Sequence, residues 1–428
     1  MEMNSVNSVR RKKFLILCFA TLLLFFTSMN KILVPGAVFS DMQASLGVTG
    51  SQLAAMGSAF MYCYALSQLV LGLLCHKFGG VRILLIGGGL FTAGSLLFPL
   101  LQNPFLLIAA RGMTGIGAGT VFIALAKLIA DIFPKKFSSV LGLTLFIGYL
   151  GPVAGGLPFV SFVKAVGWEK AFLAIGVTVG VAMLFIIFLS PGTLKKIRGS
   201  ESIFSPLWVL LRNRASNCLN LSSMIIFGAH YTILATIGQK TLEDYASFSH
   251  YSASLWMSVL AGIIAACNLG TGTILALFGQ KRRRILLTAS FLCLCGGLAG
   301  IAVFSLRLPG YLAPCVFILL ALPAGCFPLY GTQAKELNPP EHVGLSVAML
   351  NFFAFVGIAV GGNAAGLVLS KYELAEKAGK IVSAMGGIVH YPPEAYRDIF
   401  IVISIFAFIG VCAAFFVPET YRKGENGK

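Results

Sequence analysis

The segment Gly72-Leu-Leu-Cys-His76-Lys-Phe-Gly79-Gly-Val-Arg82-Ile-Leu-Leu85 returns 200 residues later as Gly272-Thr-Ile-Leu-Ala-Leu-Phe-Gly279-Gln-Lys-Arg-Arg-Arg284-Ile-Leu-Leu287. In both copies an apolar run ends, a Phe-Gly pair follows, and basic residues precede the next apolar run. A second recurrence ends each half of the chain, where Pro191 or Pro418 follows an apolar run and precedes basic residues. Because proline stops a helix and basic residues stay at the membrane surface, these recurrences predict two similar halves of a membrane protein.

The composition leads to the same class of protein. The 428 residues are 57% hydrophobic and 11% charged, and the mean hydropathy is +0.88. An ordinary soluble domain carries about 25% charged residues, so a soluble globule is excluded, and the apolar content excludes a disordered chain. The net charge of +17 comes from basic clusters between apolar runs, which indicates membrane topology rather than nucleic-acid binding.

Twelve apolar runs reach the roughly 20 residues that a helix needs to cross a bilayer. They are 14–36, 51–74, 82–100, 104–133, 138–163, 169–190, 217–239, 252–278, 285–306, 310–334, 342–369 and 398–417. Most of the 32 Lys and Arg lie on the side of the two termini, which the positive-inside rule places in the cytoplasm. We therefore predict an all-α membrane protein with twelve transmembrane helices in two pseudo-symmetric six-helix bundles. The bundles are 1–190 and 217–428, joined by a cytoplasmic linker at 191–216.

Three motifs resemble the major facilitator superfamily of secondary transporters, over nearly the whole chain. The family's loop signature, roughly G-x-L-a-D-r-x-G-r-r, corresponds to Gly72, Leu74, His76, Lys77, Gly79 and Arg82, with His76 in place of the aspartate. The fourth run begins Arg111-Gly-Met-Thr-Gly115-Ile-Gly117 and matches the family pattern R-x-x-x-G-x-G. The fifth contains Gly148-Tyr-Leu-Gly151-Pro152-Val-Ala-Gly155-Gly156, close to the antiporter signature G-x-x-x-G-P-x-x-G-G except that Gly148 is one residue late. The resemblance implies alternating access, with gating by Gly72, His76, Gly79, Arg82, Gly151 and Pro152.

The first two runs resemble one branch of that superfamily. The second run, Ser58-Ala-Phe-Met-Tyr62-Cys-Tyr64-Ala-Leu-Ser-Gln68, looks most like the branch that carries organic anions and phosphate esters. That branch often has an arginine about eight residues before a proline in the first helix. Here Thr27 precedes Pro35 by that spacing, and Lys31 lies one turn later on roughly the same helix face. The resemblance implies an anionic substrate, with Lys31 in the place of the arginine.

Ionisable residues inside apolar runs are costly and are candidates for a functional site. The basic candidates are Lys31, Arg111 and His230, and the polar residues expected to line the same site are Tyr62, Tyr64, Gln68, Tyr231 and Asn351. Structural alternatives stay open for each. The Lys31 ammonium can extend to the lipid headgroups, the Arg111 guanidinium can bond to neighbouring helices, and the uncharged polar residues and His230 can hydrogen-bond between helices. Lys127 is expected to pair with Asp131 one turn on.

The carboxylates are informative by their positions. All fifteen Asp and Glu lie at run ends, in loops or in tails, whereas proton-coupled transporters and cation sites commonly use a carboxylate inside the membrane. We therefore predict an anionic substrate that binds where the two halves meet, with exchange of anions slightly favoured over proton symport. Lys240, Glu243 and Asp244 are expected in a solvated loop, as is the polar segment 370–397.

Two other functions remain open. They are a membrane sensor that binds a ligand without transporting it, and a proton-coupled exporter of drugs or metabolites. The five histidines form no HxxxH or HExxH group and no G-x-S-x-G motif occurs, so the sequence predicts no enzyme, no cofactor and no metal. We expect a monomeric multi-pass protein of a bacterial cytoplasmic membrane, whose partners are a small anionic substrate and the lipid bilayer and not nucleic acid.

Overall fold

The computed structural model describes residues 2–133, 137–191, 205–339, 343–377, 384–385 and 388–420, with side chains described over 11–71, 79–133, 140–191, 207–339, 345–373 and 389–420. Most of the predicted linker, 192–204, therefore lies outside the described residues. The chain divides into two compact units, Met1–Ile203 (unit 1) and Phe204–Lys428 (unit 2).

Unit 1 is helical throughout its described part. Its helices are α1 (Glu2–Leu33), α2 (Phe39–Leu46), α3 (Gly50–Phe78), α4 (Gly80–Leu97), α5 (Pro104–Ile132), α6 (Phe137–Gly155), α7 (Leu157–Val166) and α8 (Trp168–Leu189), with 3₁₀ turns at Gly36–Val38 and Phe98–Leu100. Proline and capping residues set several of these ends. Helix α5 begins at Pro104, and the side chain of Asn103 accepts a hydrogen bond from the main-chain N–H of Phe105 at 2.9 Å, which satisfies one of the helix's open donors.

Unit 2 adds ten helices and one very short hairpin. The helices are α9 (Ser205–Arg212), α10 (Arg214–Tyr231), α11 (Gly238–Asp244), α12 (His250–Leu269), α13 (Thr271–Leu277), α14 (Arg282–Ser305), α15 (Ala313–Ala324), α16 (Phe327–Leu337), α17 (Val343–Lys377) and α18 (Pro393–Phe415), with a 3₁₀ turn at Gly310–Leu312. A π-helical segment, Thr232–Ile237, joins α10 to α11. Strands β1 (Ala384–Met385) and β2 (Ile388–Val389) pair antiparallel, with Ala384 opposite Val389.

The predicted class, an all-α membrane protein, is confirmed. Within the described ranges, eleven helices are long and apolar enough to cross a membrane, and the count is twelve if the pair α6 and α7, bent by 48°, forms one span. That pair corresponds to the predicted run 138–163. The bend follows Pro152, which lies inside α6, and proline is a common cause of such kinks.

Both copies of the segment that recurs in the sequence contain a glycine with positive φ. Gly79 lies between α3 and α4 with φ of +76°, and Gly279 lies just before α14 with φ of +59°. Glycine enters this left-handed region without the steric cost that a Cβ brings. The predicted correspondence between these two positions therefore has a counterpart in the backbone.

Glycines allow the helices of unit 1 to pack at backbone distance. Helix α5 packs against both α3 and α4. A Cβ on Gly115 would lie 2.3 Å from the main-chain oxygen of Phe60 on α3, and one on Gly117 would lie 2.2 Å from the main-chain nitrogen of Phe91 on α4. Small residues at such contacts are how membrane helices approach closely. This packing brings the guanidinium of Arg111 on α5 next to the ring of Phe60 on α3.

Candidate functional site

Arg111 is held inside unit 1 by the residue that precedes Lys31. Its side chain is 1% exposed. Nη1 donates to Asn30 Oδ1 at 3.1 Å, and Nη2 donates to the main-chain oxygen of Asn30 at 2.9 Å. The guanidinium carbon lies 4.5 Å from the ring centre of Phe60. Nε has no hydrogen-bond partner among the described residues. Arg111 thus binds α1 at Asn30, and its Nε–H donor is not used by any described residue.

Lys31 lies against the tyrosine that the sequence singled out. Its Nζ is 4.5 Å from the ring centre of Tyr64, a distance at which a cation is attracted to the ring face. The hydroxyl of Tyr64 accepts a hydrogen bond from Gln68 Nε2 at 2.9 Å, and its ring stacks on Phe60 with centres 6.0 Å apart. We call Asn30, Lys31, Tyr64, Gln68 and Arg111 the Lys31 cluster.

The structure brings together four of the predicted residues in this cluster, Lys31, Tyr64, Gln68 and Arg111. Tyr62 is half-buried on α3. It lies two residues from Tyr64, which is about 200° around a helix of 3.6 residues per turn, whereas Gln68 lies only one turn on. The helical period therefore places Tyr62 on a different face of α3 from Tyr64 and Gln68, and its part in the site stays a prediction.

A second polar group lies along α10 in unit 2. Asn220, Ser223 and His230 are each at most 1% exposed. Their side-chain polar atoms have no hydrogen-bond partner within the described part of the chain. These atoms are both ring nitrogens of His230, both amide atoms of Asn220 and the hydroxyl oxygen of Ser223. Phe227, between them, packs on Phe327 of α16 with ring centres 4.4 Å apart. We call the three polar residues the α10 stripe.

The α10 stripe has unused hydrogen-bonding capacity. Buried polar groups in proteins almost always have a partner, and an unsatisfied one costs about 1–3 kcal/mol. Sequence reasoning found His230 but missed Asn220 and Ser223, whose spacing of three and then seven residues on one helix was the available signal. Of the other predicted residues of unit 2, Tyr231 is half-buried and packs edge-on against His230 with ring centres 5.2 Å apart, and Asn351 is half-buried on α17.

The residues predicted to act in gating are only partly described. The side chain of His76 and the surroundings of Gly72 lie outside the described residues. Arg82, at the start of α4, is half-buried, and its Nη1 has no hydrogen-bond partner in the described ranges. A Cβ on Gly151 would lie 2.3 Å from the main-chain oxygen of Phe25, so Gly151 and the adjacent Pro152 lie where α6 packs on α1. Gating by these residues stays a prediction.

Lys127 has the structural partner that the spacing suggests. Its Nζ lies 3.8 Å from Asp131 Oδ1, one turn along α5, and the two side chains are 30% and 19% exposed.

Lys240, Glu243 and Asp244 overturn the expectation of a solvated loop. Lys240 Nζ lies 2.8 Å from Asp244 Oδ1, and the two side chains are 2% and 1% exposed. Glu243 pairs with His250 at 2.7 Å. The expectation failed because α11 continues the seventh span and residues far along the chain cover its end, which local polarity does not indicate.

Comparison with known proteins places the chain in a family. The model of the Major Facilitator Superfamily matches residues 17–362. Among curated proteins, the multidrug resistance protein MdtL of Escherichia fergusonii is 26% identical over 294 residues, which cover 67% of this chain and 72% of that protein. The MdtL of Salmonella dublin is 26% identical over 301 residues, with the same coverage.

Solved structures of transporters share the fold. A bacterial homologue of the human lysosomal transporter Spinster, in an inward-facing and unoccupied conformation, superposes with a TM-score of 0.73 at 14% identity and covers 95% of this chain and 97% of its own. A D-xylose–proton symporter gives a TM-score of 0.69 at 16% identity, with 96% and 99% coverage. These identities support the fold alone. Since the family model matches most of the sequence, the chain belongs to the major facilitator superfamily of membrane transporters.

Proposed function

We propose that this secondary transporter carries a small organic or phosphorylated anion by alternating access, and that it exchanges one anion for another rather than moving an anion with a proton. The observation that carries the proposal is the Lys31 cluster. In this cluster the Lys31 ammonium lies against the ring of Tyr64, and the Arg111 guanidinium lies against the ring of Phe60. Both rings belong to α3, and the two ring centres are 6.0 Å apart.

The geometry of the cluster suits recognition of an anion. The Lys31 ammonium is a mobile point charge, and the ring of Tyr64 beside it bears a hydroxyl that is already oriented by Gln68. Arg111 is bound to Asn30 through both terminal nitrogens, so it contributes positive charge and a fixed position for α1. An anion close to Lys31 would gain from both charges in a medium of low polarity.

The positions of the acids favour exchange over proton symport. Within the described helices, every Asp and Glu lies in the first two or last two turns, as Asp131 does in α5 and Asp398 in α18. A carboxylate deep in a span is the usual group that binds a coupling proton. His230 is the remaining titratable candidate deep in a span, and it belongs to the α10 stripe, where the substrate's polar groups have donors and acceptors to bond.

A thermal-shift panel tests the charge of the substrate. Purified wild-type protein is heated with carboxylates, phosphate esters, neutral sugars and organic cations, and the panel is repeated on Lys31→Ala. Lys127→Ala is the matched control, since it removes the same charge from a partly exposed lysine on α5. We expect anions to stabilise wild type and Lys127→Ala but not Lys31→Ala. Stabilisation by neutral or cationic compounds alone would refute the anionic substrate.

Counterflow in proteoliposomes tests the mode of transport. A labelled anion from the panel is added outside vesicles that contain either the unlabelled anion or buffer. Exchange predicts uptake only with internal anion and no response to a pH gradient. Uptake into empty vesicles driven by a pH gradient would show proton symport instead, and binding without any counterflow would indicate a sensor.

A proton-coupled exporter of drugs is the second candidate. It is favoured by the curated relatives, which are named multidrug resistance proteins, and by the near-match to the antiporter signature at Gly151 and Pro152. The same panel separates the two functions, because this candidate predicts stabilisation by apolar cations or neutral drugs that survives Lys31→Ala.

The proposal includes the topology predicted from the sequence. It places the two bundles at 1–190 and 217–428, with the linker at 191–216. The protein is proposed to be a monomer in the inner membrane of a bacterial cell, with both termini in the cytoplasm. Reporter fusions at each terminus test the orientation. A reporter that is active only outside the cytoplasm should stay silent at both ends, and activity at either end would contradict the assignment.

A further inference from the structure

A buried carboxylate joins three segments at one end of unit 2. Asp244 is the last residue of α11. Its Oδ1 accepts from Lys240 at 2.8 Å and from His390 Nδ1 at 2.9 Å, and its Oδ2 accepts from the main-chain N–H of Tyr391 at 3.0 Å and the hydroxyl of Tyr396 at 2.6 Å. A carboxylate has about four acceptor positions, so all of them are in use. We call these five residues the Asp244 cluster.

The partners of Asp244 come from different parts of the chain. Lys240 belongs to α11 itself. His390 and Tyr391 belong to the short segment 389–392 that leads into α18, which we call the strap, and Tyr396 belongs to α18. Hydrogen bonds to an ionised group are roughly twice as strong as neutral ones. The strap is therefore fastened to the end of α11 rather than lying as a solvated loop.

Three neighbouring contacts extend the cluster. Glu243 accepts a hydrogen bond from Gln239 Nε2 at 3.2 Å and contacts His250 Nδ1 at 2.7 Å, which ties α11 to the start of α12. The hydroxyl of Tyr391 donates to Glu373 near the end of α17. The end of α11 is thus the point at which α12, α17, the strap and α18 are connected.

A π-helical segment lies at the other end of α11. Helix α11 has seven residues, and the six-residue π-helical segment Thr232–Ile237 separates it from α10. π-Helical turns are rare and often occur at functional sites. They interrupt the regular α-helical hydrogen-bond ladder, so α10 and α11 are not one continuous α-helix.

We propose that the Asp244 cluster is a latch, which makes α11 and the strap move as one element and which opens as a whole when this end of unit 2 opens in the transport cycle. Losing one partner leaves the buried carboxylate with an unused acceptor position, which is unfavourable. We therefore expect the contacts from the strap and from α18 to break together when the latch opens, and the loss of a single contact to weaken the latch without opening it. This role goes beyond the proposed substrate, because it does not depend on the substrate's charge.

Hydrogen–deuterium exchange of the full chain in lipid nanodiscs tests the coupling. Asp244→Asn keeps the shape and removes the charge. Glu394→Gln is the matched control, because Glu394 lies in the first turn of α18 and pairs at 2.9 Å with Arg307, and that pair is largely exposed. We expect Asp244→Asn to speed exchange in both α11 and the strap by about tenfold or more, as for the loss of a hydrogen bond to a charged group. Glu394→Gln should leave both segments at the wild-type rate.

Two results would overturn the coupling: faster exchange in only one of the two segments, or an equal effect from Glu394→Gln. His390→Gln is the milder variant if Asp244→Asn does not fold, since three partners of Asp244 remain, and it should speed exchange in the same two segments by a smaller factor. Its counterflow rate then tests the cycle. A changed rate supports a latch that opens during transport, and an unchanged rate despite faster exchange in both segments rejects that role. The hydrogen–deuterium exchange result tests the coupling of α11 to the strap even if the protein is found not to transport anions.

Discussion

Replacing Arg111 and Asn30, singly and together, tests whether Arg111 acts by holding α1 in place. The guanidinium makes two hydrogen bonds to one residue, at 3.1 Å to the side-chain oxygen and 2.9 Å to the main-chain oxygen. Asn30→Ala removes only the first of these, whereas Arg111→Ala removes both and also the cation that faces Phe60. Both single variants therefore lose the hydrogen bond from Arg111 Nη1 to the side-chain oxygen of Asn30. The double variant loses that same bond once rather than twice.

The shared bond sets the size of the expected coupling. Hydrogen bonds between membrane helices average about 0.6 kcal/mol in double-mutant cycles, with a maximum near 1.7. Bonds to a charged donor in soluble proteins contribute about 1.5–3 kcal/mol. Since Arg111 is 1% exposed and its bond to Asn30 is charge-assisted, we expect a coupling of about 1–2 kcal/mol. Arg111→Lys should recover less than half of the loss in Arg111→Ala, because one ammonium does not reproduce the planar fork.

The assay is reversible unfolding by SDS in mixed micelles, followed by helical circular dichroism, for wild type and the four variants. Free energies of unfolding that add to within about 0.5 kcal/mol would show independent sites and would refute the idea that Arg111 holds α1 in place through Asn30. So would an Arg111→Lys protein as stable as wild type, since charge alone would then account for the role of Arg111. Binding of the anion found in the panel adds a second readout. If Arg111 holds α1 in place through Asn30, the anion should bind more weakly to Asn30→Ala, although Asn30 carries no charge.

Two further predictions concern helix contacts in unit 1. Gly117→Ala puts a Cβ 2.2 Å from the Phe91 nitrogen, so overpacking should lower the free energy of unfolding by about 1–3 kcal/mol. Gly89→Ala, which meets nothing within 4 Å, should not lower it, and equal effects in the same SDS titration would contradict the packing. Lys127→Ala and Asp131→Asn should each change it by less than about 1 kcal/mol, because their pair is 3.8 Å long and partly exposed. A larger loss would mean that the pair is not a surface contact.

The fold was predictable from the sequence because its signals are local. The run 104–133 became α5, Pro104–Ile132, since a proline at its start and a long, mostly apolar composition need no information from the rest of the chain. The positive φ of Gly79 and Gly279 likewise follows from the glycine that each copy of the recurring segment carries between two helices. The candidate residues Lys31 and Arg111 were found by the same local test, a charge inside an apolar run.

The buried polar contacts were not predictable, because their partners are distant in the chain. Asp244 follows an apolar run, like many loop acids, and its burial depends on His390, which lies 146 residues further on. Asn220 and Ser223 were not among the candidates taken from the sequence, and only the structure reveals that their polar atoms have no partner in the described part of the chain. Composition indicates where a polar group lies along a helix but not what lies opposite it.

The difference between satisfied and unsatisfied polar groups separates the two roles proposed for the buried residues. Asp244 has a partner at every acceptor position, so a ligand there would have to displace a protein contact, and the cluster suits a structural latch. His230 has two ring nitrogens and Arg111 has one donor that no described residue uses. Buried groups of that kind are stabilised by whatever fills their capacity, and in a transporter the substrate is a ligand that does so in only part of the cycle. We therefore expect a substrate to contact groups with unused capacity, such as the Arg111 donor of the Lys31 cluster, and not Asp244.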